Sequence, residues 1–177
     1  MKARFLYSLI TAFSTLTVLS GLTSCNPDKC QAIACAYGGI CQDGKCICAD
    51  GYEGYQCETE MRARYLGIWT VTEDGTVSNA AQYAVSVTRG DAPREIRITN
   101  FYNAFTKPVK AFVNSDTVTI PLQAVNRWKV QGRGQIKRDP YRGVNALVRF
   151  NYMVEDTVNK LVDNFGYSGG DPSSWTK

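Results

Sequence analysis

All seven cysteines of the chain fall between Cys25 and Cys57, and the 120 residues that follow contain none. Six of them, Cys30, Cys35, Cys41, Cys46, Cys48 and Cys57, are separated by 4, 5, 4, 1 and 8 residues. So short a stretch cannot bury enough apolar surface to fold by itself, so crosslinks have to stand in for a core. Counting alone leaves every pairing of the six open. A zinc site is the rival use of these thiols, but the spacing is not that of a zinc ribbon. The seventh cysteine has no partner within the chain and needs a separate account.

That account lies at the N-terminus. Lys2 and Arg4 precede the apolar run "FLYSLITAFSTLTVLSGL", which Ser and Thr interrupt. The run is too short and too polar for a stable membrane span, and it has the charge order of a signal peptide. It ends in Leu22-Thr23-Ser24-Cys25. This resembles a bacterial lipobox, an apolar residue and two small ones before a cysteine. The resemblance implies that residues 1–24 are a lipoprotein signal peptide. Cys25 then receives a diacylglycerol, and often a further acyl chain on its new amine, with residues 25–29 as a short linker. Two or three acyl chains hold a membrane far more firmly than one. Six cysteines are left to pair. The alternative is an ordinary signal peptide with Cys25 as a free or intermolecular thiol.

The segment "CQAIACAYGGICQDGKCICADGYEGYQCE" resembles an EGF-like module, here residues 30–61. The C-x-C at Cys46–Cys48, the wide gap to Cys57, the ending "GYEGYQC" and Gly38-Gly39 before Cys41 carry the likeness. It implies the pairs Cys30–Cys41, Cys35–Cys46 and Cys48–Cys57. Gly51 and Gly54 sit where a tight two-stranded turn needs positive φ, and Tyr52 can cover a disulfide. Each bridge should contribute about 2–4 kcal/mol. Calcium is not expected. Asn26 and Asp28 sit roughly where calcium-binding members place ligands, but Lys29 replaces an acid or amide, and the interval between Cys41 and Cys46 is too short for their ligand segment. Ile40 occupies the position of a fucose-accepting hydroxyl. A rigid spacer is the expected role.

After Cys57, β-branched and aromatic residues rise and alternate. Eight strands are predicted: "YLGIWTVTE", "AQYAVSVTR", "REIRITNFY", "KPVKAFV", "DTVTIP", "RWKVQGRGQIK", "NALVRFNYMVE" and "TVNKLVDNFGY". The turns "DGTVSN", "GDAP", "NSD" and "RDPYRG" separate them. Ile96 and Ile98 alternate with Arg97 and Thr99, and Val118 and Ile120 with Thr117 and Thr119. Eight successive strands with short connections suggest an up-and-down meander, which closes to remove its edges. Gly67-Ile68-Trp69 resembles the G-x-W of lipocalins and other calycins. The longer pattern through "VQGRGQI" is similar to the calycin-like barrel of lipoproteins from Bacteroidota-type bacteria. The likeness covers residues 63–155 and leaves "DNFGYSGGDPSSWTK" unplaced. It implies that Trp69 plugs one end of the barrel, that Gly67 lets the chain pass close beneath it, and that a late-strand cation crosses the ring. Arg149 is the candidate.

The chain contains no histidine, which removes the commonest general base and metal ligand. No Ser or Cys nucleophile motif is present. Glu73-Asp74 and Glu155-Asp156 read as solvated turn acids, and "GRGQ" at 132–135 as a strand bulge rather than a phosphate loop. Tyr83, Phe101, Tyr102, Phe105, Phe112, Trp128, Phe150 and Tyr152 read mainly as core. Residues 26–61 carry 2 bases and 6 acids, and residues 62–177 carry 16 bases and 10 acids, for a formal charge of +4 over the chain. The bases are scattered, so no nucleic-acid partner is expected. The sequence therefore predicts an all-β protein: an EGF-like module, then an eight-stranded antiparallel calycin-like barrel over residues 62–177. The expected function is non-catalytic, with no cofactor and no metal. A lipid anchor would hold the protein at the outer membrane, exposed at the surface or facing the periplasm. Binding, adhesion or assembly is the expected task, with a glycan, small apolar ligand or protein as partner. The alternative is a lipocalin-type carrier with a small apolar ligand or glycan in the barrel mouth.

Overall fold

A computed structural model describes residues 29–138 and 146–177. The predicted signal segment, Cys25, Asn26, Asp28 and most of the turn "RDPYRG" lie outside the described residues. Cystine bonds join Cys30 to Cys41, Cys35 to Cys46 and Cys48 to Cys57, the three pairs that the module's resemblance implies. They staple two small hairpins, β1 (Ile40–Gln42) with β2 (Lys45–Ile47) and β3 (Tyr52–Glu53) with β4 (Thr59–Glu60). Between residues 29 and 60 only Gly51 and Cys57 are buried, which is why covalent links must do what a core cannot. Tyr52 stacks on Tyr37 with ring centroids 4.5 Å apart.

The remainder is a closed eight-stranded antiparallel barrel. Seven strands run as a meander: β5 (Gly67–Glu73), β6 (Ala81–Arg89), β7 (Glu95–Thr99), β8 (Val109–Asn114), β9 (Thr117–Val125), β10 (Trp128–Arg138) and β11 (Ala146–Asp156). Period-two alternation places Ile96, Ile98, Val118 and Ile120 inside, as their spacing predicts. Phe112 departs from expectation: in β8 it alternates with buried Ala111 and Val113 and so faces solvent.

The eighth strand differs from the predicted one. It is split into β12 (Leu161–Phe165) and β13 (Ser173–Thr176). β12 pairs with Met153–Asp156 of β11, and β13 pairs with Leu147–Phe150 further along the same edge. Only β13 reaches β5, through Ser174–Thr72, Trp175–Val71 and Thr176–Thr70, and that contact closes the barrel. The sequence segment read as strand eight supplies half of it. The unplaced tail supplies the closing half.

A register shift lies between Val130 and Gly132 of β10, opposite Pro121 and Leu122 of β9. The irregularity therefore precedes "GRGQ" rather than occupying it. It accommodates Pro121, which has no N–H for a regular ladder. Gly132 and Gly134 face inward and serve a different purpose. A Cβ on Gly134 would stand 2.8 Å from both Phe150 and Val118, and one on Gly132 would meet the Tyr152 Cβ. Both glycines make room for rings that fill the barrel.

The interior is packed along its length by Trp69, Val71, Ile98, Val118, Phe150 and Trp175, among other buried side chains. At one end a 3-10 turn, Met61–Tyr65, crosses the barrel floor and buries Tyr65. At the other, a turn at Phe101–Asn103 folds aromatic rings over the opening. Phe101 meets Tyr152 at 4.8 Å, and Tyr102 meets Trp128 at 5.7 Å and Phe165 at 5.9 Å.

The disulfide module is docked against the barrel. Gly51 lies so near Pro93 in the β6–β7 turn that a Cβ would approach its carbonyl carbon to 3.1 Å. Asp50 pairs with Arg94 at 2.9 Å, and Arg64 bridges Glu53 of the module to Asp116 of the barrel. Arg62 secures the same turn by donating to the carbonyls of Gly90, Ala92 and Glu95 at 3.1, 2.9 and 3.2 Å.

Candidate functional site

The Trp69 end is built from three short pieces of chain. Trp69 is 1% exposed and donates its indole N–H to the Tyr65 carbonyl at 2.6 Å. The cation across its ring is Lys177, with Nζ 4.6 Å from the ring centre. That ammonium also donates to the carbonyls of Leu66 and Arg64, at 2.8 and 3.0 Å, and burial pushes its pKa down. Arg149 does not perform this role. It lies between inward Val148 and Phe150 on β11, so its side chain faces outward and is exposed. Gly67 also differs from expectation. Nothing lies within 4 Å of where its Cβ would be, and its φ of +112° is what calls for glycine.

The opposite end carries a buried polar cluster that the sequence reading placed in solvent. Glu73 follows Trp69 and Val71 on the inner face of β5 and is 7% exposed. Its Oε1 accepts the Tyr83 hydroxyl at 2.6 Å, and its Oε2 accepts those of Tyr152 and Ser173, both at 2.7 Å. Trp175 in turn donates to the Ser173 hydroxyl at 3.0 Å. Burial, then the Glu73 charge, pushes the Tyr83 phenol well up, so it stays a neutral donor. Strict alternation from Trp69 was the available signal for this inward carboxylate.

Asp163 latches the aromatic cap. It accepts the Tyr102 hydroxyl at 3.0 Å and the backbone N–H groups of Val77 and Ser78 at 2.9 and 3.2 Å. Burial alone would raise its pKa, but these donors outweigh burial and lower it. Burial, followed by the Asp163 charge, pushes Tyr102 up to about 12. The second acid pair also departs from the solvated reading. Asp156 is buried, pairs with Arg127 and caps the turn through the N–H of Val158 at 2.9 Å. Arg127 holds its carboxyl down to about 2.

These clusters are internally satisfied. Among the described residues no buried side-chain nitrogen or oxygen lacks a partner, and no group of three acids or cysteines is placed to hold a metal. Their acceptors are occupied by structural donors, so their arrangement stabilises the ends of the barrel. No helix among the described residues is long and apolar enough to cross a membrane.

The outer wall offers an open surface. A depression of about 340 Å³ is lined by Thr117, Arg133, Gly134, Gln135, Asn151 and Tyr167. Strands β9, β10 and β11 form its floor, with Arg133 opposite Thr119 and Asn151, and Gln135 opposite Thr117 and Arg149. Tyr167, 45% exposed, stands on the segment that interrupts the eighth strand. The sequence reading did not single out this surface, because its members come from three strands and a loop. No protein-family model matches the chain.

Proposed function

We propose that the protein is a lipid-anchored, non-catalytic binding protein of the bacterial cell envelope. In this reading the EGF-like module is a rigid spacer, and the calycin-like barrel is a scaffold that recognises partners on its outside. The observation that carries the reading is the filled interior. Trp69 and Tyr65 stop one end, and Phe101, Tyr102, Phe105 and Trp128 cover the other. A carrier with its ligand in the mouth would have to displace that aromatic cap, whereas the outer depression is open. Anchoring is supported by Leu22-Thr23-Ser24-Cys25 and by a cysteine count that leaves Cys25 over once three disulfides form.

Mass spectrometry of the chain purified from membranes tests the anchor and the carrier alternative together. The expected N-terminus is Cys25 bearing acyl mass, with no small molecule retained under native conditions. Cys25→Ser should leave the protein soluble after export. An unmodified terminus elsewhere would sink the anchor. A stoichiometric apolar ligand in the native spectrum would favour the carrier.

A further inference from the structure

The outer depression has a chemistry of its own. Arg133 and Gln135 of β10 line it and project outward, while Arg149 of β11, opposite Gln135, and Lys137 of β10 project outward beside it, beyond its lining. Arg133 and Arg149 are diagonal neighbours across the two strands, a relation that sets Cβ atoms about 7 Å apart. Most other arginines of the described barrel are engaged: Arg62 and Arg89 with Glu60, Arg64 with Asp116, Arg94 with Asp50, Arg97 with Asp91 and Arg127 with Asp156. Arg133 and Arg149 have neither an ion-pair nor a hydrogen-bond partner among the described residues. No acid lines the depression, and Asp116, next to Thr117, is already held by Arg64.

Around these cations stand groups of another kind. Gln135, Asn151 and Thr117 can each donate and accept hydrogen bonds, as vicinal hydroxyls require. Tyr167 contributes an exposed ring, the surface on which the C–H face of a pyranose packs. Its loop is braced: the Ser168 hydroxyl donates to the Asn164 side chain at 2.6 Å, and the Gly166 N–H to the Gly169 carbonyl at 2.9 Å. A ring held on a fixed loop loses little freedom on binding. The volume exceeds what a bare phosphate or carboxylate would fill.

We propose that this face is a binding site for an acidic saccharide. A uronic-acid carboxylate lies between Arg133 and Arg149, the sugar hydroxyls meet Gln135, Asn151 and Thr117, and Tyr167 stacks on the ring. Guanidinium suits the task because its planar fork matches a carboxylate in two parallel hydrogen bonds. The proposal rests on the reading of the barrel as a scaffold that binds on its outside, and it is independent of lipidation.

The test is calorimetric titration of the full-length chain, solubilised in a non-glycosidic detergent, with trigalacturonate, neutral maltotriose and inorganic phosphate. Trigalacturonate should bind with a dissociation constant tighter than about 1 mM and weaken as salt rises. Maltotriose and phosphate should bind at least about tenfold more weakly. Arg133→Ala and Tyr167→Phe/Ala variants, both altered at exposed positions, separate charge from stacking. Arg133→Ala and Tyr167→Ala should each lose about tenfold or more, with the thermal midpoint unchanged, and Tyr167→Phe should retain binding. The proposal is overturned by absence of trigalacturonate binding at about 10 mM, by equal binding of maltotriose or phosphate, or by insensitivity to both alanine variants. If binding fails while Cys25 carries acyl chains, the saccharide site falls and the anchor stands. If binding holds on an unmodified chain, the reverse is true.

Discussion

Trp69 closes one end of the barrel by size, by its N–H bond to Tyr65 and by the ammonium of Lys177 across its ring. Trp69→Ala should therefore cost about 3–5 kcal/mol, a large share of what a small domain has in total. Lys177→Ala should cost less, and Arg149→Ala should leave the midpoint where it is. Chemical denaturation of the three variants checks this, and an unshifted midpoint for Trp69→Ala would contradict the plug. Much of this end was legible at residue level, through the resemblance that Gly67-Ile68-Trp69 carries and the inward ring it implies. Its cation was not. Arg149 is the sole base in its strand, yet Val148 and Phe150 on either side of it are inward, so period two sends it outside. Lys177 gave no signal, since a terminal lysine after "SSW" has no pattern around it. Glu73 was legible by the same alternation that places Trp69 and Val71, but a carboxylate beside Asp74 was read by its charge and not by its register.

At the scale of elements, the strand signal worked where runs were long. β10 and β11 pair over the whole span from Trp128–Asp156 to Arg138–Ala146, and their alternating sequences announce it. β13 failed as a signal because four residues cannot display a period, and Gly, Pro and Ser in front of them read as loop. The disulfide pairing was legible only through the resemblance of the cysteine spacing to a known module, while pairing by count alone stays open. The short β13 is nevertheless the closing element. Truncation after Pro172 would remove it together with Ser173, a donor to Glu73, and Trp175, which packs 4.5 Å from Phe150. The Thr70–Thr72 edge of β5 and the Leu147–Phe150 stretch of β11 would then be unpaired. The expected outcome is loss of a cooperative thermal transition by circular dichroism, with association visible by size-exclusion chromatography. A sharp melt near the wild-type temperature would show that β12 alone can complete the wall.

For the molecule as a whole, the polar clusters at the cap end bound the pH range of stability. Tyr102 has its pKa raised from 10.0 to about 12, so below pH 10 its contribution is complete. As pH rises from 10 toward 12 the unfolded chain loses this proton first, and stability falls. Tyr83 and Tyr152, whose phenols burial pushes up as well, add to the same loss. Asp156 works in the opposite direction. Its pKa is lowered from 3.8 to about 2, so its contribution is present above 3.8 and is lost as pH falls toward 2. Urea midpoints should form a plateau between these limits and decline on both sides. A midpoint that holds steady from pH 10 to 12 would contradict the buried-phenol account.

The split in the eighth strand has a consequence for how such a barrel can diversify. Both halves seat on one edge of β11, so closure is settled by residues on either side of the interruption and not by those within it. Gly166 itself bridges to Tyr152 of β11, so the exposed segment from 167 to 171 is the port in the wall. Its length can vary at the entropic cost of a surface loop, which grows only slowly with length, while Gly170, with a φ of +72° and no room for a Cβ beside the Asn164 carbonyl, constrains its sequence. A foreign peptide grafted there would be displayed with both its ends pinned by an intact ladder, and descendants of this chain could change what they recognise without rebuilding what holds them shut.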